Sequence, residues 1–310
     1  MAPNSADTLH DFPPFFRVHK NGKIERYLET DFVPSSHDPT TDVQSKDVVI
    51  SPENAVSARL FLPKSTIPNQ KLPLLIYVHG GAFSIESAFS SLYHNYLNTL
   101  VAEAKVIAVS IEYRLAPEYA VPACYDDCWE VIKWMELHAG GQGPDPWLNE
   151  FADFDRVFLA GDSAGANIAH NTAIRVSLDE FGSGIKIVGI ILVHPFFGNG
   201  KTDNLWMFIC PETSGSNDPR LNPAADLDLL SKLGCNRVLV CTAGKDRFKE
   251  RGLIYYDAVK NSNWKGEIEI FDIEGEDHVF HLFKSTCENA VLLLKKIVGF
   301  MNQNLPPSVL

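Results

Sequence analysis

The sequence is poor in basic residues: 27 Lys and Arg stand against 39 Asp and Glu, for a formal charge of −12. A chain this acidic lacks the footprint that nucleic acids and anionic membrane surfaces require, which excludes both as main partners. Long apolar runs are missing too. The longest, Ile185–Phe197, is broken by Lys186, Gly189, His194 and Pro195 and is too short to span a bilayer. Met1–Asp7 carries neither a basic start nor an apolar stretch, so no secretory signal and a cytoplasmic location are expected. The six Cys do not have metal-site spacing, no His-Glu-x-x-His occurs, and His10, His19 and His37 are dispersed. Neither a metal nor an organic cofactor is therefore expected. Cys124 and Cys128, four apart on a predicted helix, read as packing residues in a reducing compartment. No repeat or low-complexity linker divides the chain, and a single domain over residues 1–310 is expected.

What the chain does have is apolar material for a large core, 45% of 310 residues, arranged in a recurrent pattern. Short β-branched or apolar runs, each closed by a turn signal, occur at Leu74–Val78, Val106–Ser110, Val157–Ala160, Ile187–Val193, Val238–Cys241 and Ile268–Phe271. Helical stretches are predicted over Ser90–Ala104, Cys124–His138, Ala164–Ser177, Gly252–Lys260 and Ser285–Asn302. Near-continuous apolar strands alternating with helices predict an α/β fold with a mostly parallel sheet covered on both faces. Lys46–Ser51 and Ala55–Leu62 alternate in polarity and read as an antiparallel entry pair. Residues up to about 40, and about 198–225, resist the pattern and read as a small cap over the carboxyl ends of the strands.

The strongest chemical signal is Gly161-Asp162-Ser163-Ala164-Gly165, between a predicted strand and a predicted helix. Gly-x-Ser-x-Gly in that context is a nucleophile elbow, a sharp turn that lifts the serine hydroxyl above the sheet. About eighty residues upstream, His79-Gly80-Gly81-Ala82-Phe83 follows another strand. Such a loop can aim backbone N–H groups at an oxyanion, together with the N–H of the residue after the nucleophile. A serine nucleophile needs a base, and the base an orienting acid, in the chain order Ser, acid, His. His278 follows the strand Ile268–Phe271, and Asp246 follows Val238–Cys241. Glu276 and Asp277 are rival acids, but residues beside His278 in sequence cannot easily face its far ring nitrogen, which favours Asp246. His79 reads as a brace for the loop, and His170 and His281 as structural residues.

Together with Glu112-Tyr113-Arg114-Leu115-Ala116-Pro117-Glu118 and Asp277-His278-Val279-Phe280, these motifs resemble those of the plant carboxylesterase family. That family lies in the hormone-sensitive-lipase branch of the α/β-hydrolases, and the resemblance extends from about Phe16 to Phe300. The stretch Gly80–Phe89 is similar to the clade containing 2-hydroxyisoflavanone dehydratase. The resemblance implies an α/β-hydrolase fold and a triad of Ser163, Asp246 and His278. It also implies an oxyanion hole from the N–H groups of Gly81, Ala82 and Ala164, with Gly80 shaping the loop, and buried ion pairs for Arg114 and Glu118. Ala82 and Ala166 replace glycines usual in the family, and Gly198–Pro219 is shorter than the family's cap segment. Phe83, Phe196, Phe197, Trp206, Phe208 and Phe280 are candidate pocket residues, with ordinary core as the alternative for each.

The expected function is hydrolysis of small acyl esters, of plant specialised metabolites, by a serine carboxylesterase. A dehydratase or cyclase of specialised metabolism is the alternative, although isoflavanone dehydratases often carry Thr where this chain has Ser163. A hormone receptor of the gibberellin type is disfavoured, because the catalytic His replaced in that branch is present as His278.

Overall fold

The computed structural model describes residues 7–64, 70–179 and 184–303. Twelve strands are found among them: β1 Thr8–Phe12, β2 Phe16–His19, β3 Ile24–Arg26, β4 His37–Asp38, β5 Val43–Ser51, β6 Val56–Pro63, β7 Leu72–Val78, β8 Ile107–Glu112, β9 Ala152–Asp162, β10 Ile187–Val193, β11 Arg237–Ala243 and β12 Glu267–Ile273. The helices are α1 Ser91–Ala104, α2 Ala123–Ala139, α3 Pro146–Phe151, α4 Ala164–Leu178, α5 Asn204–Ile209, α6 Leu227–Leu230, α7 Lys249–Asn261, α8 Phe280–Phe283 and α9 Glu288–Asn302.

Nine strands form one sheet in the order β12-β11-β10-β9-β7-β8-β6-β5-β4. From β8 to β12 all pairings are parallel, and the entry strands β4, β5 and β6 join antiparallel. Every residue of β7, β10 and β11 is buried, as strands covered on both faces must be. Side chains alternate between two cores. One packs Leu74, Leu159, Ile190 and Val238 under α2, α4 and α7, with Cys128, Ile132, Ile168 and Tyr255. The other packs Leu75, Phe158, Val188 and Leu239 under α1 and α9, with Leu97, Leu293, Ile297 and Phe300. Cys124 and Cys128 are buried free thiols in the first core, as expected of packing residues.

The amino-terminal segment forms its own antiparallel sheet, β1-β2-β3. Phe12 and Phe16 of this sheet meet Phe208 of α5 at ring distances of 4.8 and 6.1 Å. Residues 198–225 otherwise hold a single 3₁₀ turn, Pro223–Ala225. Arg114 bonds the fully buried Asp127 carboxylate, its backbone N–H reaching Oδ2 at 2.8 Å. Glu118 departs from expectation: it pairs with Arg26, itself part-exposed at the end of β3, and is 40% exposed.

Candidate active site

The parallel strands end on one side of the sheet, and the turns that follow β9, β11 and β12 carry Ser163, Asp246 and His278 there. Ser163 adopts φ 52° and ψ −116°, a strained conformation for a residue with a Cβ, costing about 1–3 kcal/mol. Its flanks explain how the turn closes. A Cβ on Gly161 would lie 2.4 Å from the carbonyl carbon of Gly165, and one on Gly165 would lie 2.0 Å from the Val78 oxygen. The two glycines let β9 turn into α4 against β7, and the turn is pinned by Ser163 N–H to Val193 O and Phe196 N–H to Ser163 O.

The structure brings the three side chains into line. His278 Nε2 lies 2.9 Å from Ser163 Oγ, and His278 Nδ1 lies 2.8 Å from Asp246 Oδ2. A carboxylate only accepts, so Nδ1 carries the ring proton and the Nε2 lone pair faces the serine hydroxyl. Burial alone would raise the Asp246 carboxyl. The hydrogen bond and charge of His278, with the Phe248 N–H at 2.8 Å, outweigh it and hold the group below its ordinary value. The rival acids lie elsewhere: Asp277 is exposed, and Glu276 receives a hydrogen bond from Asn289. Val279, left-handed at φ 47°, is held by its N–H to His194 Nδ1 at 2.9 Å.

The Gly80-Gly81-Ala82 loop faces the elbow. A Cβ on Gly80 would lie 2.3 Å from Asp162 Oδ2, and one on Gly81 would lie 2.2 Å from Ile85 O. Ala82 takes φ 52° even with its methyl group. Gly80 N–H donates to Tyr93 OH, which donates to Asp162 Oδ2, while Tyr77 OH donates to Asp162 Oδ1. Asp162, the residue before Ser163, thus ties the loop to the turn that carries Ser163. Among the described residues, the N–H groups of Gly81, Ala82 and Ala164 have no protein acceptor. His79 stacks on Tyr113 with ring centroids 4.2 Å apart, and its Nδ1 lies 2.9 Å from Gly80 O, the position of a brace.

A cavity of about 170 Å³ opens over Ser163 and His278. Of the six aromatic candidates, only Phe196 lines it. Phe83 meets Phe196 edge-on and Trp206 meets Phe83 in turn, Phe197 stacks on Tyr255, and Phe280 is buried in the α1/α9 core. Phe208 covers β1 and β2 instead. The apolar wall is made by Phe15, Leu28, Ile85, Leu92, Phe248 and Leu282, whose side-chain directions no periodicity reveals. Within the described residues, one group of possible metal donors occurs, His194, Asp246 and His278. Its lone pairs are already committed to Val279, Phe248, Ser163 and one another, so the group does not fit a metal.

The buried histidines set a pH dependence of stability. Burial holds His79 down to about 4, His170 and His281 to about 3, and His194 well below its ordinary value. These rings stay neutral in the fold and take up protons on unfolding below about pH 6.5, so stability falls as pH falls. Two buried carboxyls oppose this: burial raises Asp162 to about 6 and Glu112 to about 7, so they take up protons in the folded state. Burial also lowers His94 and His138 and raises Glu86 and Asp127, so the rings shifted this way still outnumber the carboxyls and the net effect is a loss of stability as pH falls. Urea midpoints should drop steeply from pH 7 to about pH 5, and a flat or rising profile would contradict the neutral rings.

A serine on a strand-to-helix turn, an imidazole held between it and a carboxylate, and unpaired amide donors on an α/β sheet form the arrangement of the serine α/β-hydrolases. A family profile described as the alpha/beta hydrolase fold matches residues 75–282. The chain is 47% identical to probable carboxylesterase 5 of Arabidopsis thaliana, covering 96% of this chain and 99% of that protein. It is 43% identical to a 2-hydroxyisoflavanone dehydratase of Glycyrrhiza echinata, covering 96% and 97%. A thermophilic carboxylesterase from a metagenomic library superimposes with a TM-score of 0.67 at 23% identity, over 90% of this chain and 92% of that one. The chain belongs to the α/β-hydrolase family, in its plant carboxylesterase branch.

Proposed function

We propose that this protein is a carboxylesterase that cleaves small acyl esters through an acyl-enzyme on Ser163. The observation that carries the reading is the hydrogen-bonded line from Ser163 Oγ through His278 to Asp246. His278 Nε2 takes the serine proton as Oγ adds to the ester carbonyl, and the Asp246 carboxylate stabilises the imidazolium that forms. The oxyanion falls to the unpaired N–H groups of Gly81, Ala82 and Ala164. His278 then protonates the departing alcohol, and a water activated by the same ring releases the acid. The small, mainly apolar cavity favours short acyl groups. Segments up to about 40 and about 198–225 act as the cap in this reading, the first supplying Phe15 and Leu28 to the cavity wall. The reading requires no cofactor, and its partner is a small ester rather than a nucleic acid or a membrane. Among the described residues no helix is long and apolar enough to cross a membrane. A cytoplasmic setting is supported by six free thiols.

Elimination is the second reading, since one relative is named for dehydration of a 2-hydroxyisoflavanone. Ser163 at the nucleophile position favours hydrolysis. The test is a paired assay on p-nitrophenyl acetate and a 2-hydroxyisoflavanone, with mass analysis of the peptide bearing Ser163. Ester turnover with an acetylated Ser163 peptide is expected. Dehydration without cleavage of any ester would reverse the ranking.

A further inference from the structure

A second cavity, of about 210 Å³, adjoins the one over Ser163 and shares Phe15, Phe196, Arg247 and Phe248 with it. Two guanidinium groups lie against the same ring there, Arg247 at 4.7 Å and Arg251 at 4.6 Å from the centroid of Phe248. They are not equivalent. Arg251 is committed, its Nη1 bonding Phe197 O at 2.9 Å and Asp203 Oδ2 at 3.2 Å. Arg247 is exposed and, among the described residues, has no carboxylate within ion-pair distance. Phe248 fixes its position relative to the reacting groups, since its ring meets His278 edge-on at 5.0 Å and its N–H holds Asp246.

The charges around Ser163 are therefore polarised. Glu86 lines the cavity over Ser163 and also a larger one of about 650 Å³, where Glu29, Glu112 and the Arg26–Glu118 ion pair join it, but it does not line the second cavity, which Arg247 shares with the one over Ser163. Among the described residues that line the second cavity, the one carboxylate, Asp203, already serves Arg251. A planar guanidinium with free donors matches a carboxylate in geometry as well as charge. The remaining walls are four aromatic rings, Phe12, Phe15, Phe196 and Phe248, with Pro13 and Leu205.

We propose that this second cavity is a subsite for a carboxylate-bearing aromatic alcohol half of the ester, and that Arg247 determines specificity for it. The proposal rests on the esterase reading for its chemistry and on Arg247 for its selectivity. With a net charge of −12 the protein as a whole repels anions, so a preference for an anion over its neutral isostere reports a local cation.

The experiment compares kcat/KM for 3-acetoxybenzoate and 3-acetoxybenzamide in the parent protein, Arg247→Gln and Arg247→Glu. An exposed guanidinium supports about a fivefold preference for the benzoate, which about 0.5 M NaCl should largely remove. The ratio should fall to near one in Arg247→Gln and invert in Arg247→Glu. A ratio unchanged by Arg247→Gln, or a parent protein that prefers the amide, overturns the proposal. Calorimetric binding of 3-hydroxybenzoate against 3-hydroxybenzamide reads the same subsite without turnover. Tighter benzoate binding that depends on Arg247, in a protein that cleaves no ester, would sink the esterase reading while the subsite stands. Equal binding of the two would sink the subsite whatever the turnover.

Discussion

Replacing Ser163 with Ala is expected to lower ester turnover by roughly 10⁴- to 10⁶-fold while leaving the fold in place. The loss is large because the variant has no atom to form the acyl-enzyme, leaving only direct attack by water in a site arranged for another nucleophile. The residual rate comes from binding and from the amides of Gly81, Ala82 and Ala164, which the substitution does not touch. Stability should barely change. Alanine has the same Cβ as serine at φ 52°, so the backbone strain is unaltered, and one part-exposed hydrogen bond to His278 is lost. Turnover of p-nitrophenyl acetate and the thermal midpoint, measured on the same preparation, check both halves. A folded Ser163→Ala protein with near-parental turnover would remove the proposed mechanism.

How much of this was legible in the sequence depends on the range of the interactions concerned. The strand Ile187–Val193 is predicted at its observed limits because its apolar run is continuous and its turn signals are local. The sheet β1-β2-β3 is not, since three short strands among Pro and exposed polar residues carry no period. Helix α7 begins three residues before its predicted start. Gly252 lies inside α7, and it is a glycine there for close packing, since a Cβ would come within 2.8 Å of Thr242 Cγ2 on β11. Ser163, Asp246 and His278 were legible because each occupies a strand-end turn whose place the topology dictates. The cavity wall was not, because facing Ser163 or standing one layer behind is a matter of packing between distant segments. Phe196 and Phe83 illustrate it: their rings touch at 5.6 Å, and only the first reaches the cavity. Tyr93 carries no sequence signal at all, yet through Asp162 it links the Gly80-Gly81-Ala82 loop to the Ser163 turn.

Asp246→Asn should lower turnover by about 10⁴-fold, whereas Asp277→Asn should change it by no more than about two- to threefold. The difference follows from what surrounds each carboxylate. Asp246 accepts on both oxygens, from Phe248 N–H on Oδ1 and from His278 Nδ1–H on Oδ2. An asparagine there has one oxygen for two donors. The backbone N–H of Phe248 cannot change its character, so the amide oxygen settles on that side and the NH₂ group faces His278. Nδ1 must then accept, which moves the ring proton to Nε2 and turns a donor toward Ser163 Oγ, where the reaction needs a lone pair. The opposite amide orientation keeps the tautomer only by setting an NH₂ against the Phe248 N–H in a buried site, an unsatisfied pair costing about 1–3 kcal/mol. Asp277 has no such position: it is exposed on the loop that carries His278, and its side chain makes no bond to the imidazole. Steady-state turnover of the two variants on one ester, with circular dichroism to confirm folding, gives the ranking. Should Asp277→Asn prove the more damaging, the orienting acid would be the sequence neighbour, and the His278 ring would have to turn away from the geometry that places its Nε2 on Ser163.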